Sequence, residues 1–183
     1  MSASDARRAI ETWVGALSSG GVLAGSHASP EARAGRALAT FVVGEAALEE
    51  LRAFVAAVGD DKAIDERCAA IEVCIWMAHA DRHLHAEERG MLENLVAASR
   101  LSEAQQARLL ASIETPPPLE KIEQRLTHPV LRELIMALAW ELALSDGVVD
   151  AEEEALFLRL ATQLEVPLRR AQELREAMEQ RVG

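Results

Sequence analysis

Residues able to bind or move charge gather in two short stretches of the chain. His79, Asp81, His83, His85, Glu87 and Glu88 occupy one, and Asp146, Asp150, Glu152 and Glu153 the other. Carboxylates at this density suit a hard divalent cation, calcium or magnesium, which takes several oxygen ligands and offsets the repulsion among the acids. Three imidazoles beside Asp81 and Glu88 form instead a donor set that zinc, nickel or copper prefers. Of these histidines, His79 and His83 share a helix face only if the helix runs on past Asp81.

The stretch from Ser145 to Glu153 has the spacing of the back half of an EF-hand calcium loop. Asp146 then stands at loop position five, Gly147 at the sharp turn, Val148 as carbonyl donor, Asp150 at nine and Glu153 at the bidentate twelfth. Positions one and three fall on Leu142 and Leu144, which offer no side-chain oxygen. An ion here must borrow ligands or keep waters, and its affinity is expected to be weak. In the other stretch Arg82 replaces the turn glycine and His85 the ninth ligand. A local role competes with coordination. Asp146 can close an Asx-turn over Gly147, Asp150 can act as an N-cap and Glu153 can complete its capping box, with His85 and Glu88 in the same parts.

Enzyme chemistry has fewer footholds. The serines lack a G-x-S-x-G context, neither Cys68 nor Cys74 has a histidine at a motif spacing, and no phosphate-cradling glycine loop, H-E-x-x-H or C-x-x-C occurs. A zinc-dependent hydrolase on His79, His83 and His85 is the enzyme alternative, and it needs three firm ligands plus an open position. Trp13, Trp76 and Trp140 all fall within apolar helical patterns and are assigned to packing. Cys68 and Cys74 fall on different helix faces and are expected to be reduced, buried and inert.

Helical periodicity supplies the elements that hold these stretches. Between Ser4 and Leu17 the residues Ile10, Trp13, Val14 and Leu17 fall at helical spacing, and a Gly- and Ser-rich loop follows over 18–29. Pro30 suits the first turn of the next helix. Leu38, Phe41 and Val42 mark a face that Gly44 interrupts, and Leu48, Leu51, Val55 and Val58 mark another that Gly59 stops. Ile64, Cys68, Ile71, Ile75 and Ala78 predict a long buried helix over 61–80. Met91, Leu92, Leu95 and Val96 predict its successor after the loop at 81–85.

Ser102 and Gln105 read as a capping box opening a helix that reaches Glu114. Pro116, Pro117 and Pro118 end it and start a segment over 119–126. Thr127 is expected to cap a second long buried helix with Val130, Leu131, Leu134, Ile135, Leu138 and Leu142. Helices over 150–164 and 167–182 complete the chain. Arg169, Arg170 and Arg175, interleaved with Glu173, Glu176 and Glu179, read as a solvated face with i,i+4 pairing.

Setting Asp81 on Asp146 aligns Ala78 with Ala143, Ala86 with Ala151, Glu87 with Glu152, Glu88 with Glu153 and Leu95 with Leu160. Each copy is a long helix, an acidic loop and an amphipathic helix that cannot bury its stripe alone. The expected fold is all-α: a helical bundle of two pseudo-symmetric helix–loop–helix halves over 61–183, with an N-terminal helical extension over 1–60. The two acidic loops are expected at a shared end.

These residues resemble the TerB-like domains associated with tellurite resistance, whose hallmark is a helical repeat with an A-x-x-D-G-x-x-x-x-E-E style loop. Ala143 to Glu153 matches throughout, and Ala78 to Glu88 matches except at the glycine, where Arg82 stands. The resemblance covers 61–183. It implies a helical fold of two pseudo-symmetric halves, a divalent-cation cluster of Asp81, Glu87, Glu88, Asp146, Asp150, Glu152 and Glu153, and a role in stress-response complexes near membranes. It implies no enzyme activity.

Composition narrows the partners. Lys and Arg total 19 against 30 Asp and Glu, and the net charge of -11 repels phosphate backbones, so nucleic acid is an unsuitable ligand. Half the residues are apolar while 3% are aromatic, the stock of packed helices rather than strands. Without a long uncharged apolar run or an apolar leader after Met1, the chain is expected to be cytoplasmic and not inserted in a membrane. The sequence as a whole reads as a non-enzymatic divalent-cation-binding or sensing module that acts on a protein partner. The alternative is a metal-indifferent helical scaffold or adaptor.

Overall fold

The runs Cys68–Ile75 and Leu134–Trp140 contain, apart from Glu72, no charged residue. Helices built from them have no face to give to water and must lie inside. In the computed structural model, which describes residues 30–79, 84, 86–99, 101–116, 118–144, 149 and 151–182, they are central to an all-α bundle. Among the described residues there is no strand, and the helices in chain order are α1 (Pro30–Val43), α2 (Glu45–Ala57), α3 (Asp60–Met77), α4 (Ala86–Ala98), α5 (Glu103–Glu114), α6 (Ile122–Arg125), α7 (Pro129–Ala143), α8 (Ala151–Gln163) and α9 (Leu168–Val182). Helix α3 packs against α4, α5, α6 and α7, and α7 packs against α1, α2, α3, α8 and α9. One continuous core runs from Leu38 to Met178 and includes Leu48 and Leu51 of α2.

Local chemistry sets the breaks. Gly44 has φ 84 and ψ 158, backbone that residues with a Cβ essentially never adopt. Its N–H donates to Thr40 and its carbonyl accepts from Leu48, so one residue ends α1 and starts α2. Ser102 and Gln105 form the expected capping box on α5, with the Ser102 N–H donating to Gln105 Oε1 at 2.9 Å. Helix α8 ends on Glu165 in the left-handed region. The Val166 N–H donates to Ala161 and the Glu165 N–H to Thr162, the Schellman pattern.

The alignment of the two acidic stretches extends into the packing. Val73 and Leu138, Ile75 and Trp140, and Ala78 and Ala143 are equivalent positions of α3 and α7, and all are buried. The same holds for Leu92 and Phe157, Leu95 and Leu160, Leu109 and Leu174, and Ile113 and Met178. Helix α4 rests on α3 and α5 as α8 rests on α7 and α9. Arg67 donates to the Ser99 carbonyl after α4, and its equivalent Arg132 reaches Glu165 after α8.

Four details differ from the sequence reading. Phe41 does not share the buried face of Leu38 and Val42 on α1 but is exposed on a neighbouring stripe. Helix α3 stops at Met77 rather than near 80, with the His79 N–H turning back to Trp76. The segment over 119–126 is mostly turn, and only Ile122–Arg125 is helical. Thr127 is not the cap of α7, which begins at Pro129 with Arg132 N–H on the His128 carbonyl. Instead the Thr127 N–H lies 3.0 Å from both carboxylate oxygens of Glu66, and its hydroxyl also donates there.

Candidate functional site

The region with the sequence signal for chemistry is where α3 and α7 end. Leu84 and Val149, at equivalent positions of the alignment, are both partly buried against the core. His79 is held in place: its Nε2 lies 2.8 Å from the Ile113 carbonyl on α5. Because a carbonyl only accepts, Nε2 carries the proton and donates. This bond closes α3 onto α5, a structural use the sequence did not signal.

The remaining candidates divide by position. Asp81, His83, His85, Asp146 and Asp150 lie outside the described residues. Glu87 and Glu88 belong to the first turn of α4, with side chains outside the description. Glu152 is exposed and Glu153 half-buried in the first turn of α8, where the positive helix end favours carboxylates, and both have interaction partners. Their neighbour Glu154 pairs with Arg175 of α9 at 2.5 Å. Among the described residues no three His, Cys, Asp or Glu side chains converge in a metal-ready group.

Three buried glutamates escaped the sequence reading. Glu66 accepts from Thr127 and pairs with Lys62. Glu72 pairs with Arg125 and Arg108, and Arg125 also bonds Asp65 at 2.9 Å. Glu141, whose side chain is fully buried, pairs with Arg181. A lone carboxylate inside an apolar helical run, as in Ile71-Glu72-Val73 or Trp140-Glu141-Leu142, was the available signal, because a buried charge requires a partner. In each case that partner ties one helix to another segment.

The basic residues of α9 serve the same purpose. Arg169 pairs with Glu173 one turn on, as expected. Arg170 departs from the solvated reading: it reaches Glu133 of α7 at 2.7 Å and the Val42 carbonyl at the end of α1. Arg175 lies over the Trp140 ring, and Arg159 of α8 lies over the half-buried Trp76 ring. Burial pushes the Cys74 thiol up to about 12 and raises Cys68 as well, so these free, buried cysteines stay protonated. Burial also lowers His128 against the opposing pull of Glu66 and Glu50, and its ring packs on Phe54 at 4.6 Å.

Residues 111–176, from the end of α5 through most of α9, match the family model described as tellurite resistance protein TerB. This segment is TerB-like. The match takes in the second acidic connection and the α7–α8–α9 unit, a narrower span than the resemblance over 61–183. Comparison with curated proteins and with solved structures gave no match. No described helix is long and apolar enough to cross a membrane.

Proposed function

We propose that the protein is a TerB-like helical scaffold that acts through contacts with a protein partner, in the stress-response setting the family name suggests. The observation that carries this reading is the use made of the described polar groups. Glu66, Glu72, Glu133, Glu141, His79, Arg125, Arg170 and Arg175 all hold helix to helix or to a turn, so the bundle is built to keep its shape and present its outer faces. Those faces carry exposed Leu110 on α5 and Leu158 on α8 within an acidic surface, which suits a partner with apolar and basic groups. On this reading the two three-helix units are pseudo-symmetric halves about α3 and α7.

The finer reading adds a divalent cation held by Asp81, Glu87 and Glu88 or by Asp146, Asp150, Glu152 and Glu153. An ion titration separates the two. The scaffold predicts no binding heat and an unchanged melting temperature with millimolar calcium or magnesium, and Asp146→Ala with partner affinity intact. Calcium-dependent stabilisation lost in Asp146→Ala would replace the scaffold reading by the cation-responsive one.

A further inference from the structure

Helix α1 has two apolar faces. Leu38, Ala39 and Val42 face the core. Ala34, Ala37 and Phe41, spaced i, i+3 and i+7 on a second stripe, are exposed, with Phe41 at 55%. We propose that this second stripe is the docking surface for the chain's own segment Ser4–Leu17, folded back as an antiparallel helix. The inference does not rest on the scaffold reading.

Four observations select this occupant. The segment carries Ile10, Trp13, Val14 and Leu17 at i, i+3, i+4 and i+7, a stripe that itself requires burial. Helix α1 has 14 residues, roughly 21 Å at 1.5 Å per residue, and Ser4–Leu17 as a helix has the same length. The Gly- and Ser-rich linker over 18–29 has an r.m.s. span of roughly 20 Å, beyond the 8–10 Å between packed helix axes, so it reaches without strain and holds the segment at about millimolar local concentration. The charges also match. Antiparallel docking brings Arg7 and Arg8 to the carbonyl end of α1, where exposed Glu50 of α2 follows together with Glu45 and Glu49, which already pair with Arg36 and Arg52.

In this antiparallel register the small side chains of Ala34 and Ala37 leave room for Trp13 and Ile10, and Phe41 lies level with the first turns of the docked segment. A second copy is a poorer occupant, because it would bring the same acidic end of α2 and a net charge of -11 against their like.

Hydrogen exchange on the full chain tests the proposal, with sedimentation on the same samples. An isolated helix of this length is marginal in water, so slow exchange over 8–17 reports docking. In the monomer, amides over 8–17 are expected to exchange at least about tenfold slower than an unstructured peptide. Phe41→Ser, at a half-exposed position that leaves the core intact, removes that protection while α3 and α7 stay protected, and Trp13→Ser does the same from the other side. Unprotected 8–17 in the wild type, protection that survives Phe41→Ser, or protection that grows with protein concentration would each overturn it.

Discussion

Replacing Glu165 by glycine is expected to stabilise the protein although it removes an ion pair. Glu165 sits at φ 54, the left-handed conformation that closes α8. A side chain with a Cβ is about 1 kcal/mol less favourable there than glycine. The ion pair from Arg132 to Glu165 spans 2.9 Å, but the Glu165 side chain is 65% exposed, so solvent screening limits the pair to about 0.3 kcal/mol. Glu165→Gly should therefore gain about 0.7 kcal/mol, and Glu165→Ala, which loses the pair and keeps the strained backbone, should lose about 0.3 kcal/mol. The gap of about 1 kcal/mol between the variants isolates the backbone term, because both lack the carboxylate. Urea denaturation at unchanged m-value reads it directly, and thermal melts should separate the variants by about 2–4 °C. An alanine variant as stable as the glycine variant would refute the assignment of strain to this turn.

Gly44→Ala works in the opposite direction. No atom lies within 4 Å of the added methyl, so a loss of about 1–3 kcal/mol in urea comes from φ and ψ alone, and a neutral result would mean that the α1–α2 corner relaxes freely. Glu66→Ala leaves the Thr127 N–H and hydroxyl without their acceptor and should cost about 3 kcal/mol, whereas Thr127→Val should cost about 1 kcal/mol; equal losses in chemical denaturation would contradict a carboxylate that serves the backbone. His128 is lowered chiefly by burial, so the fold prefers its neutral form. Its stabilising contribution is full above the ordinary value of 6.5 and is lost as pH falls through the lower folded value. His128→Asn should flatten the decline of stability between pH 7 and 5, and parallel wild-type and variant profiles would exclude His128 as a source of that decline.

The two central helices were legible because an apolar run with no polar face can only be buried, and the capping box of α5 because both of its partners are local. The tie at Thr127 was not legible. Its sequence context fits an N-cap, yet its partner Glu66 lies 61 residues away, and no local pattern encodes such a distance. The same limit applies to Arg170 and Arg175: spacing predicts their helical neighbours, but only the packing of α9 on α7 and α8 brings them to Glu133 and Glu154. Of the ten candidate site residues, only His79, Glu152 and Glu153 have described side chains. For His79 the ligand reading had no view of α5, whose Ile113 carbonyl takes up the ring.

The two units differ in a way that bears on what the buried charges do. Under the alignment that pairs Asp81 with Asp146, Glu66 corresponds to Leu131, Glu72 to Ala137 and Glu141 to Trp76. The apolar positions repeat, and the buried carboxylates do not. Burying a carboxylate is costly even when it is paired, so these residues are poor candidates for general stabilisers. Their partners explain them better. Glu66 and Glu72 hold Thr127 and Arg125, in and after the short α6 that joins the units, and Glu141 holds Arg181 near the end of α9. Apolar packing tolerates small shifts, whereas a buried carboxylate must keep its partners, Thr127 and Lys62 for Glu66 and Arg125 and Arg108 for Glu72. The carboxylates thus act at the segment before α7 and at the last helix, where each ties one part of the bundle to another.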